Sequence, residues 1–197
     1  MVKKFPLILA LLFAFAAPAW ADFAAGEAAY ARGDYKVAFR EFKTEANRGN
    51  ARAQYYLGNM YALGRGVTRN YTEAVRWYRK AAVQGIASAQ YYLGLMYVKG
   101  QGVTRNYAEA AKWFRKAAEQ GEARAQYTLG LMYALGQGVA RNYVCAYMWV
   151  SLAAAQGNRK AAKSVDSVEK LMTSADVSRA QRLAAAWRPK SKACQPR

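Results

Sequence analysis

Apolar residues recur along residues 51–158 with the spacing of amphipathic helices. The first stripe of apolar side chains consists of Ala53, Leu57, Met60 and Tyr61. After a glycine-containing link at residues 64–67, a second stripe consists of Tyr71, Ala74, Val75, Tyr78, Ala81 and Ala82. The pattern predicts two helices joined by a turn, which we call the first and second helix of a unit.

This pair of helices recurs with a period of 36 residues, at 51–86, 87–122 and 123–158. The first two copies agree at 25 of 36 positions, and self-similarity of this length indicates a repeat protein. A unit of this size has no core of its own and buries its apolar face against the next unit. We therefore predict an all-α protein, an α/α superhelical solenoid of helix-turn-helix repeats, with no second domain.

Polar and small residues mark where these helices begin, end and approach one another. Asn70 is predicted to cap a second helix with its side-chain oxygen, and Glu73 to complete a capping box. Glycine follows each second helix, where a left-handed residue ends a helix at little cost. Alanine recurs at one position of the second helices and predicts close helix contacts at Ala38, Ala74, Ala110 and Ala146.

The residues AQYYLGNMYALGRGV, followed by NYTEAVRWYRKAAVQG, resemble the Sel1-like repeat, a longer-looped relative of the tetratricopeptide repeat (TPR). Three full copies match the motif. The resemblance implies a scaffold, adaptor or regulator that binds other proteins. It names no partner, because one fold serves many functions.

If the units curve as tetratricopeptide units do, the first helices line the concave side of the stack. The residues that then face the groove are Arg52, Tyr55, Asn59, Tyr91, Leu95, Arg124, Tyr127 and Leu131. Tyrosine and arginine are enriched among binding hot spots, so we predict a groove for an extended or helical peptide of a protein partner. The alternative is that the tyrosines only pack between adjacent first helices.

The first 21 residues have the order of a secretory signal peptide. Lys3 and Lys4 precede an uncharged apolar run at 5–17, and small residues stand at Ala19 and Ala21 before the expected cleavage site. The mature chain should begin at Asp22 and lie in the periplasm or outside the cell, without a transmembrane anchor. An uncleaved anchor is the alternative, although the apolar run is short for a membrane span.

Atypical units are expected at the ends of a repeat stack. Residues 22–50 contain a short TPR-like unit that lacks the longer glycine loop. Residues 159–188 are predicted to form capping helices over the more apolar second half of the third copy, and residues 189–197 a loose tail.

The sequence contains few of the residue types that catalysis usually requires. The chain contains no histidine and only 12 acidic residues, and its glycine loops lack the motifs of dinucleotide and phosphate sites. We predict no catalytic residue, metal site or cofactor. Ser167 and Lys170 match a Ser-x-x-Lys pattern, which leaves a cell-envelope enzyme acting on wall precursors or β-lactams as an alternative, although no Lys-Thr-Gly or Ser-Asp-Asn partner accompanies them.

The chain has two cysteines, Cys145 and Cys194, which can pair if it is exported to an oxidising compartment. Two unpaired thiols are the alternative. Cys145 occupies the position of Glu73 and Glu109 in the earlier copies, which predicts a solvent-accessible site.

The chain is strongly basic, with 30 lysines and arginines and a formal charge of +18. Removal of Lys3 and Lys4 with the signal peptide would lower this charge to +16. Such charge is typical of a solvated outer face. The alternative is attraction to an anionic envelope component, such as lipid headgroups or wall polymer, whereas nucleic acid is not expected as the partner of an exported chain.

Overall fold

The computed structural model describes residues 19–189 and Cys194. Within these residues the chain forms ten helices and no strand, arranged as tandem helix-turn-helix units, so the predicted all-α solenoid is confirmed. The predicted signal peptide, 1–21, lies outside the described residues except for residues 19–21, which begin the first helix. Of the predicted tail, 189–197, only Pro189 and Cys194 are described.

The helices of the described chain are numbered in order. They are α1 (Ala19–Arg32), α2 (Tyr35–Asn47), α3 (Ala51–Leu63), α4 (Tyr71–Val83), α5 (Ala87–Lys99), α6 (Tyr107–Glu119), α7 (Ala123–Leu135), α8 (Tyr143–Ala155), α9 (Arg159–Glu169) and α10 (Ser174–Ala186). The pairs α3–α4, α5–α6 and α7–α8 are the three 36-residue copies. Each of these six helices has 13 residues, so equivalent residues of successive units lie at the same level of the stack.

The second helices begin at the asparagines predicted to cap them. The side chain of Asn70 accepts a hydrogen bond from the N–H of Glu73 at 3.0 Å. The second half of the predicted capping box is wrong, because the N–H of Asn70 donates to the carbonyl of Tyr61 at 2.9 Å and Glu73 pairs with Arg76 instead. The first helix of the unit thus supplies the acceptor that the glutamate was expected to provide.

The alanine column of the second helices lies in the interior. Its members, Ala38, Ala74, Ala110 and Ala146, are each 0% exposed, as the predicted helix contacts require. Each first helix packs on the second helix of its own unit and on that of the preceding unit. Large side chains such as Trp149, Tyr78 and Phe114 fill the space between these helices.

A buried glutamine joins each first helix of the three copies to the preceding unit. Gln90 is 4% exposed, and its Nε2 donates to the carbonyl of Ala82, in the last turn of α4, at 3.0 Å. Its Oε1 accepts a hydrogen bond from Gln120 at 2.8 Å. The same bonds recur at Gln54 and Gln126. Because both ends of each amide are hydrogen-bonded, its burial is compensated.

The two C-terminal helices do not repeat the hairpin of the units. The helix α9 packs on α8, as a further first helix would, whereas α10 folds back onto α8 and makes no comparable contact with α9. Trp187, directly after α10, stands edge-on to Trp149 of α8 with ring centroids 6.3 Å apart. Both helices therefore cover the apolar third copy.

The structure joins Cys145 of α8 to Cys194 in a disulfide, with the two Cα atoms 5.5 Å apart. Cys145 is only 6% exposed, so the prediction of a solvent-accessible site is wrong. The equivalent glutamates of the earlier copies are partly exposed. In the third copy, Cys194 is bonded to this position and residues of α10 line the same part of the surface, which explains the burial.

Candidate functional site

The first helices of successive units meet along one side of the stack. The helix α3 contacts α5 and α7 contacts α9 directly, in addition to their contacts with second helices. In a curved helical-repeat solenoid the concave surface is the extended binding surface, and we predict that this side is the concave one. We call this side the inner groove and define it by Arg52, Tyr55, Asn59, Tyr91, Leu95, Arg124, Tyr127 and Leu131.

The predicted tyrosines of the inner groove lie at the junctions between successive first helices and stay partly exposed. The ring centroid of Tyr55 is 6.0 Å from that of Tyr92 in the next unit. The guanidinium carbon of Arg124, again in the next unit, lies 4.7 Å from the ring centroid of Tyr91. Each side chain therefore packs between adjacent first helices while part of its surface stays exposed.

A continuous series of aromatic rings, which we call the aromatic ladder, runs from α1 and α2 through the first two copies. Its members are Phe23, Tyr30, Phe42, Tyr56, Tyr55, Tyr78, Tyr92, Tyr91 and Phe114, each with a ring centroid within 6.3 Å of another. Tyr56 stacks on Phe42 at 4.6 Å with the planes 13° apart, and Tyr92 stacks on Tyr78 at 5.7 Å and 11°. Offset aromatic contacts stabilise such an array beyond the area they bury.

Tyr56 and Tyr92 were not among the residues predicted for the groove. They follow the predicted tyrosines by one position, and on a single helix that step turns a side chain by about 100° away from its neighbour. Contacts with the neighbouring unit nevertheless place these two rings beside the predicted tyrosines. The sequence signal that could have identified them is the pair of adjacent tyrosines at the same position of the first two copies.

Asn59, Leu95 and Leu131 occupy one position of the three copies, and their contacts differ with the second helix beneath them. Asn59 Oδ1 accepts a hydrogen bond from the hydroxyl of Tyr78 at 2.7 Å. In the second copy Leu95 replaces the asparagine and Phe114 replaces the tyrosine, so that the hydroxyl and its acceptor are lost together. Both arrangements avoid a buried hydroxyl without a partner.

Arg52 lies at the N-terminal end of the inner groove. Its guanidinium carbon is 4.8 Å from the ring centroid of Phe23, and its Nη2 donates to Glu27 at 2.9 Å. The hydroxyl of Tyr56 donates to the same carboxylate at 3.2 Å. Arg52 is therefore positioned over an aromatic face by a carboxylate on α1, which the sequence did not predict.

Arg124 has an equivalent place on α7. Its guanidinium carbon is 4.7 Å from the ring centroid of Tyr91 and 5.4 Å from that of Tyr92, and its Nε donates to Glu122 at 2.8 Å. Burial raises the pKa of Glu122, but the hydrogen bonds and charge of Arg124 outweigh it and hold this pKa below its usual value. The carboxylate is thus ionised at neutral pH and keeps the guanidinium in place over the rings.

The tyrosines themselves are neutral hydrogen-bonding groups. Burial raises the pKa of Tyr55, of Tyr91 and, further, of Tyr78 above the ordinary value for tyrosine. The groove in the first two copies consequently offers ring faces and hydroxyls, flanked by two guanidinium groups that are already paired with carboxylates.

The aromatic ladder stops at the third copy. Thr128 takes the place of Tyr92, and Val150 takes the place of the aromatic rings in the earlier second helices. The hydroxyl of Tyr127 lies 3.4 Å from Ser164 Oγ on α9. The open aromatic surface is therefore concentrated on α1 to α6, whereas α9 partly covers α7.

The residues of the enzymatic alternative lie elsewhere. Ser167 and Lys170 are both exposed, on α9 and directly after it. In the described part of the chain, no group of three or more cysteine or carboxylate side chains is arranged to hold a metal ion. No helix among residues 19–189 combines the length and apolar character that a bilayer span requires.

Comparison with solved structures gives close relatives of this fold. A Sel1 repeat protein from Oxalobacter formigenes is 39% identical over 73% of this chain and 59% of its own length, with a TM-score of 0.70. The protein c5321, a protective antigen present in uropathogenic Escherichia coli strains displaying an SLR fold, is 29% identical over 86% of this chain and 45% of its own, with a TM-score of 0.61. This chain thus spans less than two thirds of either relative.

A third structure, Helicobacter pylori cysteine rich protein B, shares the fold at 21% identity, over 64% of this chain and 95% of its own, with a TM-score of 0.51. No curated protein sequence matches the chain. The model of the Sel1 repeat family matches residues 51–86, 87–122 and 123–158, which are the three copies that the 36-residue period delimits. With three consecutive family matches on three consecutive helix-turn-helix units, this chain belongs to the Sel1 repeat family.

Proposed function

We propose that this chain is an exported scaffold whose inner groove binds an extended or helical peptide of a partner protein. Sel1 repeat proteins in general mediate protein interactions and are typically non-catalytic. The observation that supports a groove for peptides is the aromatic ladder, whose partly exposed tyrosines lie beside Arg52 and Arg124 on one face. Tyrosine and arginine supply a large share of binding energy at protein interfaces.

The ladder is suited to recognition because it is already rigid. Tyr55 and Tyr91 are packed against neighbouring rings, so little side-chain entropy is lost when a peptide covers their exposed parts. Arg52 and Arg124 are paired with carboxylates, so the groove is not a simple cationic surface at these points. Binding there should rest on ring faces and hydroxyls and should weaken only modestly with salt.

The groove is tested by changing Tyr55, Tyr91 and Tyr127 together to Ala. Peptides selected from a random display library on the intact protein should bind this variant about 100-fold more weakly, because removal of hot-spot side chains costs about 2 kcal/mol or more. Affinity is measured by fluorescence anisotropy with labelled peptide. Circular dichroism verifies that the variant remains helical at the temperature of the assay.

A matched control is the triple change of Tyr71, Tyr107 and Tyr143 to Ala. These tyrosines are also half-buried and 36 residues apart, but they stand at the start of the second helices. Peptide affinity should be retained in this control. Equal loss in both variants, or retained affinity in the first, would contradict the groove, and binding that disappears with salt in both would favour the basic outer face and an anionic envelope component.

The proposed export rests on the order of charge, apolar run and small residues in the first 21 residues. Cleavage after Ala21 would leave α1 to begin at Asp22, three residues later than in the full chain. We expect the intact mass of the protein recovered from the periplasm or medium to correspond to residues 22–197. A full-length mass in the membrane fraction would support the uncleaved anchor instead.

A further inference from the structure

A second concave site lies on α6, α8 and α10, apart from the residues of the inner groove. Its volume is about 690 Å³, and we call it the outer cavity. This volume lies in the usual range of small-molecule sites. The cavity lies where α10 and Cys194 meet the side of α6 and the N-terminal turn of α8. It therefore exists only where the C-terminal segment folds back onto the third copy.

Four cations and no carboxylate stand among the described residues that line the outer cavity. The four cationic residues are Lys112, Arg115, Arg141 and Arg179. They come from α6, from the turn before α8 and from α10, so the fold, and not a local run of sequence, brings them together. Lys112 is paired with Glu109 of the same helix. The like charges of the other three repel one another at this partly enclosed site, and a bound anion removes that repulsion.

Arg115 is held in place by the fold itself. Its Nη2 donates to the hydroxyl of Tyr133 at 2.8 Å, and that hydroxyl donates to the carbonyl of Cys194 at 2.6 Å. The Nε of Arg115 is buried and has no hydrogen-bond partner among the described residues. A positioned guanidinium that lines the cavity is suited to an oxyanion, since charge-assisted bonds from arginine to phosphate or carboxylate are among the stronger ones.

Apart from Tyr133 and Asn142, the rest of the lining is apolar. Val139, Val144 and Leu183 contribute side chains, together with the two cysteines of the disulfide. A small inorganic anion would leave this surface and most of the volume unused. An anion that carries an apolar group would use this surface and volume, since burial of apolar area favours binding.

We propose that the outer cavity binds a small amphiphilic anion, a phosphate ester whose oxyanion contacts Arg115 and Arg179 and whose apolar group lies on Val139, Val144 and Leu183. The site differs from the inner groove in position, charge and ligand class. It does not depend on the scaffold function proposed above, and either can fail while the other holds.

The chain contains its own control one unit earlier. A depression of about 510 Å³ on α4 is lined by Arg76, Arg79 and Val103, which are equivalent to Lys112, Arg115 and Val139. Arg79 donates to Tyr97 at 2.7 Å, as Arg115 does to Tyr133. No described residue of α10 or of the tail lines this depression. Arg79→Gln therefore removes the equivalent guanidinium without altering any residue that lines the outer cavity.

The probe is octyl phosphate, titrated calorimetrically into the oxidised full chain. We expect one saturable site per chain, with inorganic phosphate at least tenfold weaker and neutral octyl glucoside without detectable binding. Arg115→Gln and Arg179→Gln should each weaken octyl phosphate about tenfold through loss of a charge-assisted bond. Arg79→Gln should leave affinity unchanged. Because Arg179 is exposed, its variant should fold and melt normally even if Arg115→Gln loosens the tail.

Vesicles distinguish a free ester from a lipid headgroup as the source of the anion. Phosphatidylcholine vesicles with and without phosphatidic acid are compared in a flotation assay, with Arg179→Gln and Arg79→Gln. Binding of octyl phosphate alone assigns the cavity to a free ester, and binding of phosphatidic acid vesicles that Arg179→Gln reduces assigns it to a lipid. Failure of both probes, or equal losses from Arg79→Gln and Arg179→Gln, overturns the proposal.

Discussion

Ala110→Arg is expected to unfold the middle of the stack. Ala110 is 0% exposed and lies in one buried cluster with Ala111 and Phe114. An arginine there overpacks a close helix contact, at about 1–3 kcal/mol, and buries an unpaired charge, at several kcal/mol more. The sum approaches the roughly 5–15 kcal/mol by which domains are stable. Since each unit is stabilised by its neighbours, loss of the central unit weakens both sides of the stack.

The measurement is the far-ultraviolet circular dichroism of the variant at 25 °C, in which most of the helical signal should be lost. Ala108→Arg is the matched control, because Ala108 lies two residues earlier on the same helix and is exposed. This control should retain its helical signal and melt close to the unchanged protein. A folded Ala110→Arg variant with unchanged melting would mean that position 110 tolerates a cation and does not lie in a closely packed helix contact.

Gly102→Ala is expected to destabilise the joint between two units. Gly102 lies in the link between α5 and α6 with φ at +71°, and an added Cβ would overlap the backbone carbonyl of Tyr71 at the start of α4. The left-handed backbone costs a non-glycine residue about 1–2 kcal/mol, and the overlap about 1–3 kcal/mol more. We expect a loss of about 3 kcal/mol and a melting temperature lowered by about 10 °C for a chain of this size.

Gly85→Ala separates the two contributions. Gly85 also has a left-handed backbone, with φ at +94°, but no atom lies within 4 Å of an added Cβ. Thermal melting of this control should report only the conformational cost, about 1 kcal/mol. Equal shifts for Gly102→Ala and Gly85→Ala would show that the link does not press on the preceding unit.

The features that the sequence determines are those that depend on neighbours within a unit. The apolar stripes, the period of 36 residues and the left-handed glycines after the second helices predict the helices and their order, because helix formation and capping involve residues a few positions apart. The burial of Ala110 also follows from the stripe on its own helix. The column of Tyr55, Tyr91 and Tyr127 is visible as a periodicity.

Only the tertiary structure decides what those columns touch. Glu73 pairs with Arg76 because the carbonyl of Tyr61 already accepts the N–H of Asn70. Tyr92 enters the aromatic ladder because the stacking of the second copy on the first places its ring beside that of Tyr55. The C-terminal segment shows the same limit more strongly. The return of α10 onto α8 buries Cys145 and gathers the cations of the outer cavity from three separate segments. The aromatic and C-terminal contacts join residues of different units, and their geometry depends on how units stack, which no local spacing of residues encodes.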